Sequence, residues 1–93
     1  MAVLSGQRTV ATAGTAVALG TANVYGSLVV KALDTNTGKI YIGNDGANNV
    51  SNANGLVLLA GDVVVFEYVG SLGNLFINST VNGEGVCWLD LDS

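Results

Sequence analysis

Seven carboxylates are the only abundant groups in this chain able to move protons or bind a cation: Asp34, Asp45, Asp62, Glu67, Glu84, Asp90 and Asp92. Two of them flanking a glycosidic bond would suit acid–base hydrolysis, and oxygen ligands beside a glycine would suit calcium. The spacing meets neither pattern. Asn44-Asp45-Gly46 lacks the alternating ligands and closing glutamate of an EF-hand loop. Asp90 and Asp92 share one face of a terminal strand with Trp88, superficially like a sugar-binding rim, and read as a solvated chain end. Glu67, between Phe66 and Tyr68, reads as pointing outward or pairing with Lys31 or Lys39. With no histidine and one cysteine, the imidazole base, the Cys–His dyad and any intrachain disulfide are gone. Cys87 lies in the apolar run Val86-Cys87-Trp88-Leu89 and reads as a packed side chain, since no local cation would lower its pKa. Serines and threonines are plentiful but have no base to activate them. No catalytic residue, metal ligand set or cofactor is expected.

Binding chemistry remains. Tyr25, Tyr41, Phe66, Tyr68, Phe76 and Trp88 would suit a stacking platform for sugar rings, although each reads first as a core or sheet-face residue. Arg8, Lys31 and Lys39 are the only basic side chains, and the formal net charge is −4. That leaves no cationic surface for nucleic acid or an anionic membrane, so neither is expected as a partner. The longest apolar runs, Leu56 to Ala60 and Val63 to Phe66, fall far short of the roughly 20 residues that span a bilayer. Met1 to Arg8 does not read as a secretory signal, and a lone cysteine fits synthesis in a reducing cytoplasm.

The elements that must position these groups fit one domain, residues 1–93, with residues 1–8 as an N-terminal arm. Apolar residues recur at period two or in short runs bounded by Gly, Asn and Asp, and no helical spacing is present. The expected fold class is all-β: a single small antiparallel β-sandwich or jelly-roll-like barrel of seven to eight short strands. Gln7 to Ala13 and Thr15 to Leu19 read as strands around Gly14. Ser27 to Leu33 sets Leu28, Val30 and Ala32 on one face, and Lys39 to Ile42 points Ile40 and Ile42 together. The polar link Asp34 to Gly38 predicts that these two strands pair. Val63-Val64-Val65-Phe66 reads as a central strand covered on both faces. Asn82-Gly83 is the strongest hairpin signal, joining Asn74 to Thr80 with Gly85 to Leu91. Asn44, Asp45, Asn48 and Asn49 belong to a polar stretch that reads as an exposed loop.

A sandwich this small buries only about 60–65% of its unfolded surface, and it has no disulfide framework to help. Shared stability is therefore expected, as a homo-oligomer in the form of a closed ring or trimer. Thr9 to Ala22, apolar with small side chains, suits close contact between subunits, and it equally suits two ordinary strands.

Thr37-Gly38-Lys39-Ile40-Tyr41-Ile42-Gly43, then Val50-Ser51, then Asn54-Gly55-Leu56 through Leu59-Ala60-Gly61-Asp62, resemble a pattern of small bacteriophage virion structural proteins. In that pattern a strand ending in an aromatic-aliphatic-Gly step is followed by a polar loop, a Val-Ser pair and a Gly-x-x-Leu-x-x-Gly lead into the next strand. Gly14 to Thr21 and Gly85 to Leu89 sit where it has its first and last strands. The likeness covers most of the chain; Ala60 stands where the pattern often has proline. It implies a non-enzymatic virion protein in many copies: a capsid decoration, head-fibre or tail-associated subunit, bound to itself and to a major capsid or other virion protein. It offers no catalytic residues to carry over. Under that reading the shell is contacted through the N-terminal segment, with Ala2, Val3, Leu4, Arg8 and Val10 as partner-binding residues. The alternative is a carbohydrate-binding or host-attachment module of a phage tail.

Overall fold

The computed structural model describes residues 3–91. Ten strands follow one another: β1 (Leu4–Val10), β2 (Val17–Ala18), β3 (Asn23–Val24), β4 (Leu28–Ala32), β5 (Ile40–Gly43), β6 (Leu56–Leu58), β7 (Val63–Phe66), β8 (Gly70–Ser71), β9 (Phe76–Ser79) and β10 (Glu84–Asp90). A single 3-10 turn, Leu72–Asn74, interrupts them. The all-β class follows from the β-branched and alternating segments, which bury one face of a pleated strand better than one stripe of a helix.

Strands pair in nested order, first with last and inward to the middle: β1 with β10, β2 with β9, β3 with β8, β4 with β7 and β5 with β6, all antiparallel. Leu4 faces Asp90, Val17 faces Ile77, Asn23 faces Ser71 and Leu28 faces Phe66, so partner numbers total 94 through four successive ladders. The first four pairs therefore form one continuous ribbon in a single register. Only β5 and β6 depart from it, where Ile40 faces Leu58 and the total is 98. From Lys31 to Ile40 the chain takes nine steps; on the returning side, from Leu58 to Val63, it takes five. The four extra residues lie in the corner that contains Asp34 to Gly38.

The ribbon then rolls up. β10 pairs with β4 as well as β1, and β9 with β5 as well as β2. The result is two four-stranded sheets, β1-β10-β4-β7 and β2-β9-β5-β6, with β3-β8 a small separate bridge. With β3 and β8 set aside, these strand orders are those of a jelly roll. Between the sheets lie Leu28, Val30 and Ala32 of β4, Ile40 and Ile42 of β5, Ile77 of β9 and Val86 of β10, all buried. The faces predicted for β4 and β5 are those observed.

Several expectations about partners are corrected. The segments read as one hairpin across Asp34 to Gly38, β4 and β5, lie in opposite sheets, because the corner crosses the sandwich. Asn82-Gly83 likewise joins β9 to β10 across the two sheets. Gly83 takes the expected positive φ, +80°, but its N–H donates to the Val10 carbonyl at 2.7 Å. Val63–Phe66 is an edge strand bonded to β4 alone, and its Val63 and Val65 are exposed. From Leu4 onward the segment read as an arm is β1, paired along its whole length with β10.

Candidate functional site

The carboxylates are scattered by the fold, and three of them, Asp45, Asp62 and Glu84, serve the backbone. Asp62 accepts from the Leu59 N–H at 2.9 Å and closes the turn between β6 and β7. Asp45 accepts from the Ala47 N–H at 2.7 Å. Asp34 meets Lys31 at 3.2 Å on the surface, where such a pair contributes little. Glu67 is exposed and forms no ion pair with Lys31 or Lys39. Asp90 is fully buried on the inner side of β10, correcting the expectation of a solvated end; Asp92 lies outside the described residues. Among the described residues no group of three or more His, Cys, Asp or Glu side chains is placed to hold a metal.

Glu84 is held by three hydrogen bonds. Its Oε1 accepts from the Gly38 N–H at 2.9 Å, and its Oε2 accepts from the Thr37 N–H at 2.7 Å and the Thr37 hydroxyl at 2.9 Å. The Gly38 N–H, then the Thr37 N–H, hold its carboxyl below the usual glutamate range. Beside it, Asn36 is buried against Gly85. These two side chains pin the four-residue surplus of the β4–β5 corner to the start of β10. Both contacts join residues 46 to 49 positions apart, and no local sequence signal announces them.

Two surface depressions are candidates for ligands. One, of about 450 Å3, lies beside Tyr41 and is rimmed by Ser51, Asn52, Thr80, Ala13 and Gly14. Asn78 in its lining is largely engaged: its Nδ2 donates to the Val50 carbonyl, and its Oδ1 accepts from the Gly14 and Ser79 N–H groups. No charged side chain lines this cleft. The other, of about 480 Å3, is an apolar groove on the outer face of the first sheet, lined by residues of β1, β4 and β10 including Val29, Trp88 and Leu89. Cys87 faces this groove rather than the core. The predicted sugar platform does not assemble. Tyr25 and Tyr68 are exposed near the β3–β8 bridge, Phe66 and Trp88 pack against the core, and Tyr41 borders the first depression.

Of the predicted contact residues, Val3 and Leu4 are exposed, as is Arg8. Val10 is fully buried and offers no surface, because the ladder carries it into the core. Ala2 lies outside the described residues. Asn44, Asp45, Asn48 and Asn49 are all exposed. Their loop is built from within: Asn44 Oδ1 accepts from the Gly46 and Asn48 N–H groups, and the Asp45 N–H donates to the Asn49 carbonyl at 2.8 Å. Past it, Val50 is buried, anchoring the long β5–β6 connection to the outer side of the second sheet.

No family model matches this chain, and no curated protein or solved structure matches it either.

Proposed function

We propose that the chain is a non-enzymatic structural subunit of a bacteriophage particle, present in many copies as a capsid decoration or head-fibre-type protein that coats or stabilises the shell. The observation that carries this reading is the jelly-roll order of the two sheets, an architecture used by viral coat and lectin domains. A fold by itself assigns no activity. The chemistry of the surface adds support: Glu84, Asp62 and Asp45 are engaged in holding turns. A net charge of −4 suits subunits crowded on a shell, where like charge keeps neighbours from clumping. Shell contact runs along β1, whose Leu4 and Arg8 are exposed and whose Ser5, Gly6 and Gln7 form one wall of the apolar groove. The subunit associates with itself, a trimer being the expected closed form.

The test is co-sedimentation of the purified protein with undecorated phage shells. Wild type pellets with the shells, and a Leu4→Asp/Arg8→Glu variant with an unchanged melting temperature loses about tenfold in affinity. Deleting the segment is unsuitable, since β1 is a strand of the sandwich. A wild-type protein that ignores shells sinks the reading. Retention on polysaccharide, abolished by Tyr41→Ala, would move the assignment to the second reading, a sugar-binding module of a phage tail. The uncharged cleft beside Tyr41, with the exposed Asn52 on its rim, is what favours that alternative.

A further inference from the structure

We infer that the cleft beside Tyr41, on the outer side of the second sheet, is a binding site for one neutral sugar ring. The inference rests on the sugar-binding reading above and names the ligand, the groups that hold it and the strength of the contact. It holds for a shell subunit as for a tail module, because a protein present in many copies needs only a weak site in each.

β5 sends Ile40 and Ile42 into the core, so Tyr41 between them faces outward. Asn78 of β9 is its register partner, and this one side chain ties two loops to the sheet. Its Nδ2 donates to the Val50 carbonyl of the β5–β6 connection at 2.9 Å, and its Oδ1 accepts from the Gly14 N–H of the β1–β2 connection at 3.1 Å. Segments far apart in the chain thereby border a single cleft of about 450 Å3, a volume within the range of small-molecule sites.

The lining is fixed by the protein's own bonds. The Ser51 N–H donates to Asn54 Oδ1 at 2.9 Å, and the Ser51 carbonyl accepts from the Gly55 N–H at 2.9 Å; this closed turn sets Ser51 and Asn52 in place. Gly55 lies directly against Tyr41, since a Cβ there would stand 2.7 Å from Tyr41 Cβ. Across the cleft, Gly14 takes a φ of +90° with open space where a side chain would be. A site set in advance loses little binding energy to ordering.

Charge and hydrogen bonding select the ligand. The lining holds no charged side chain, so it has neither the cation that grips a phosphate or carboxylate nor the carboxylates that grip a metal ion. A wholly apolar ligand would leave its polar groups unmet. Among the described residues the Tyr41 hydroxyl and the Asn52 amide have no hydrogen-bond partner. Ser51 Oγ accepts from the Ala53 N–H and Thr80 Oγ1 from the Lys39 N–H, so each hydroxyl keeps its proton to donate. An aromatic ring beside neutral donors and acceptors matches a molecule with C–H groups on its faces and hydroxyls around its edge. A sugar ring is built that way. The bases of a nucleic acid stack equally well, but their phosphates are repelled by a chain of net charge −4.

Amide correlation spectra of the isotope-labelled full chain test the site. Glucose, galactose, mannose and N-acetylglucosamine are added singly at tens of millimolar, with inorganic phosphate as the charged control. At least one sugar should move the Gly14, Ser51, Asn52 and Thr80 amides with a Kd of about 1–10 mM, and phosphate should move none of them. Tyr41→Ala should weaken that sugar about tenfold. Asn52→Ala, at an exposed side chain, should weaken it about three- to tenfold and serves if the first variant does not fold. Silence from all four sugars, shifts caused by phosphate, or variants that bind as wild type does overturn the site. Shifts that fall elsewhere on the molecule defeat the cleft and spare the sugar-binding reading. Shell co-sedimentation is read separately: shells coated by a chain whose cleft stays silent defeat the site and spare the shell reading, while cleft shifts in a chain that ignores shells uphold the site and make the chain a tail module.

Discussion

Asn36 and Gly85 exchange hydrogen bonds in both directions across 49 positions of sequence: Asn36 Nδ2 donates to the Gly85 carbonyl at 2.8 Å, and the Gly85 N–H donates to Asn36 Oδ1 at 3.3 Å. One side-chain amide thereby supplies what a neighbouring strand's backbone would supply, at the point where the β4–β5 corner leaves the ladder. Asn36→Ala would leave a buried peptide N–H without this acceptor. A loss of about 1–3 kcal/mol is expected, read from urea unfolding at neutral pH; an unchanged midpoint would remove the corner from the stabilising features of the fold.

Glu84 makes the same corner sensitive to acid. Its carboxyl is held below the ordinary value of 4.5 by the Gly38 and Thr37 N–H groups, so the folded state prefers the charged form. That contribution is whole above 4.5 and is lost as pH falls below it through the depressed folded value. The melting temperature of wild type should drop more steeply in acid than that of Glu84→Gln, and the two should converge at low pH. Parallel curves would show that the contacts carry no net preference for the carboxylate.

Gly85 and Gly46 are irreplaceable to different degrees. A Cβ on Gly85 would run into the Arg8 carbonyl and the Thr9 Cα of β1, so Gly85→Ala must lift that strand. The expected cost is about 1–3 kcal/mol or more, with faster amide exchange confined to β1 and β10. Gly46 has open space around it but a φ of +90°, and Gly46→Ala should cost only about 1 kcal/mol. Equal costs, or exchange that rises evenly over the molecule, would contradict the assignment.

Trp88 covers Gly6 across the β1–β10 ladder, its ring atoms Cζ2 and Cε2 lying 2.5 and 2.8 Å from where a Cβ on Gly6 would stand. Gly6→Val should push the ring outward. Since Trp88 is the only tryptophan, the emission maximum should shift to longer wavelength and quenching by acrylamide should rise. No spectral change would mean the ring is held by the core alone.

Which side chains face inward is legible in the sequence, because alternation in Leu28 to Ala32 and in Ile40 to Ile42 settles the face of a strand by itself. Pairing is not. Alternation carries no address for the partner, so the turn signals at Asp34 to Gly38 and Asn82-Gly83 suggest hairpins although both cross between sheets. Val63 to Phe66 misled for a related reason: an unbroken apolar run looks the same whether it is buried on both faces or lies at an exposed edge. The position of Asp90 in the sequence suggests a solvated side chain, whereas the 94-total register carries it opposite Leu4 and into the interior. Nor did anything in the sequence tie Asn36 to Gly85 or Glu84 to Gly38. Those contacts exist only because the ribbon folds over on itself.

The nested register also decides how the domain answers mechanical load. Leu4 and Asp90 are direct partners at one end of the outermost ladder, so anything attached before the first and after the second pulls from the same point. Antiparallel bonds run across the strands, and tension applied there opens them one pair at a time, like a zip, from Leu4–Asp90 toward Val10–Glu84. Tethered by one of these ends alone, the domain spares that seam; strung in line between two anchors, it would part there first.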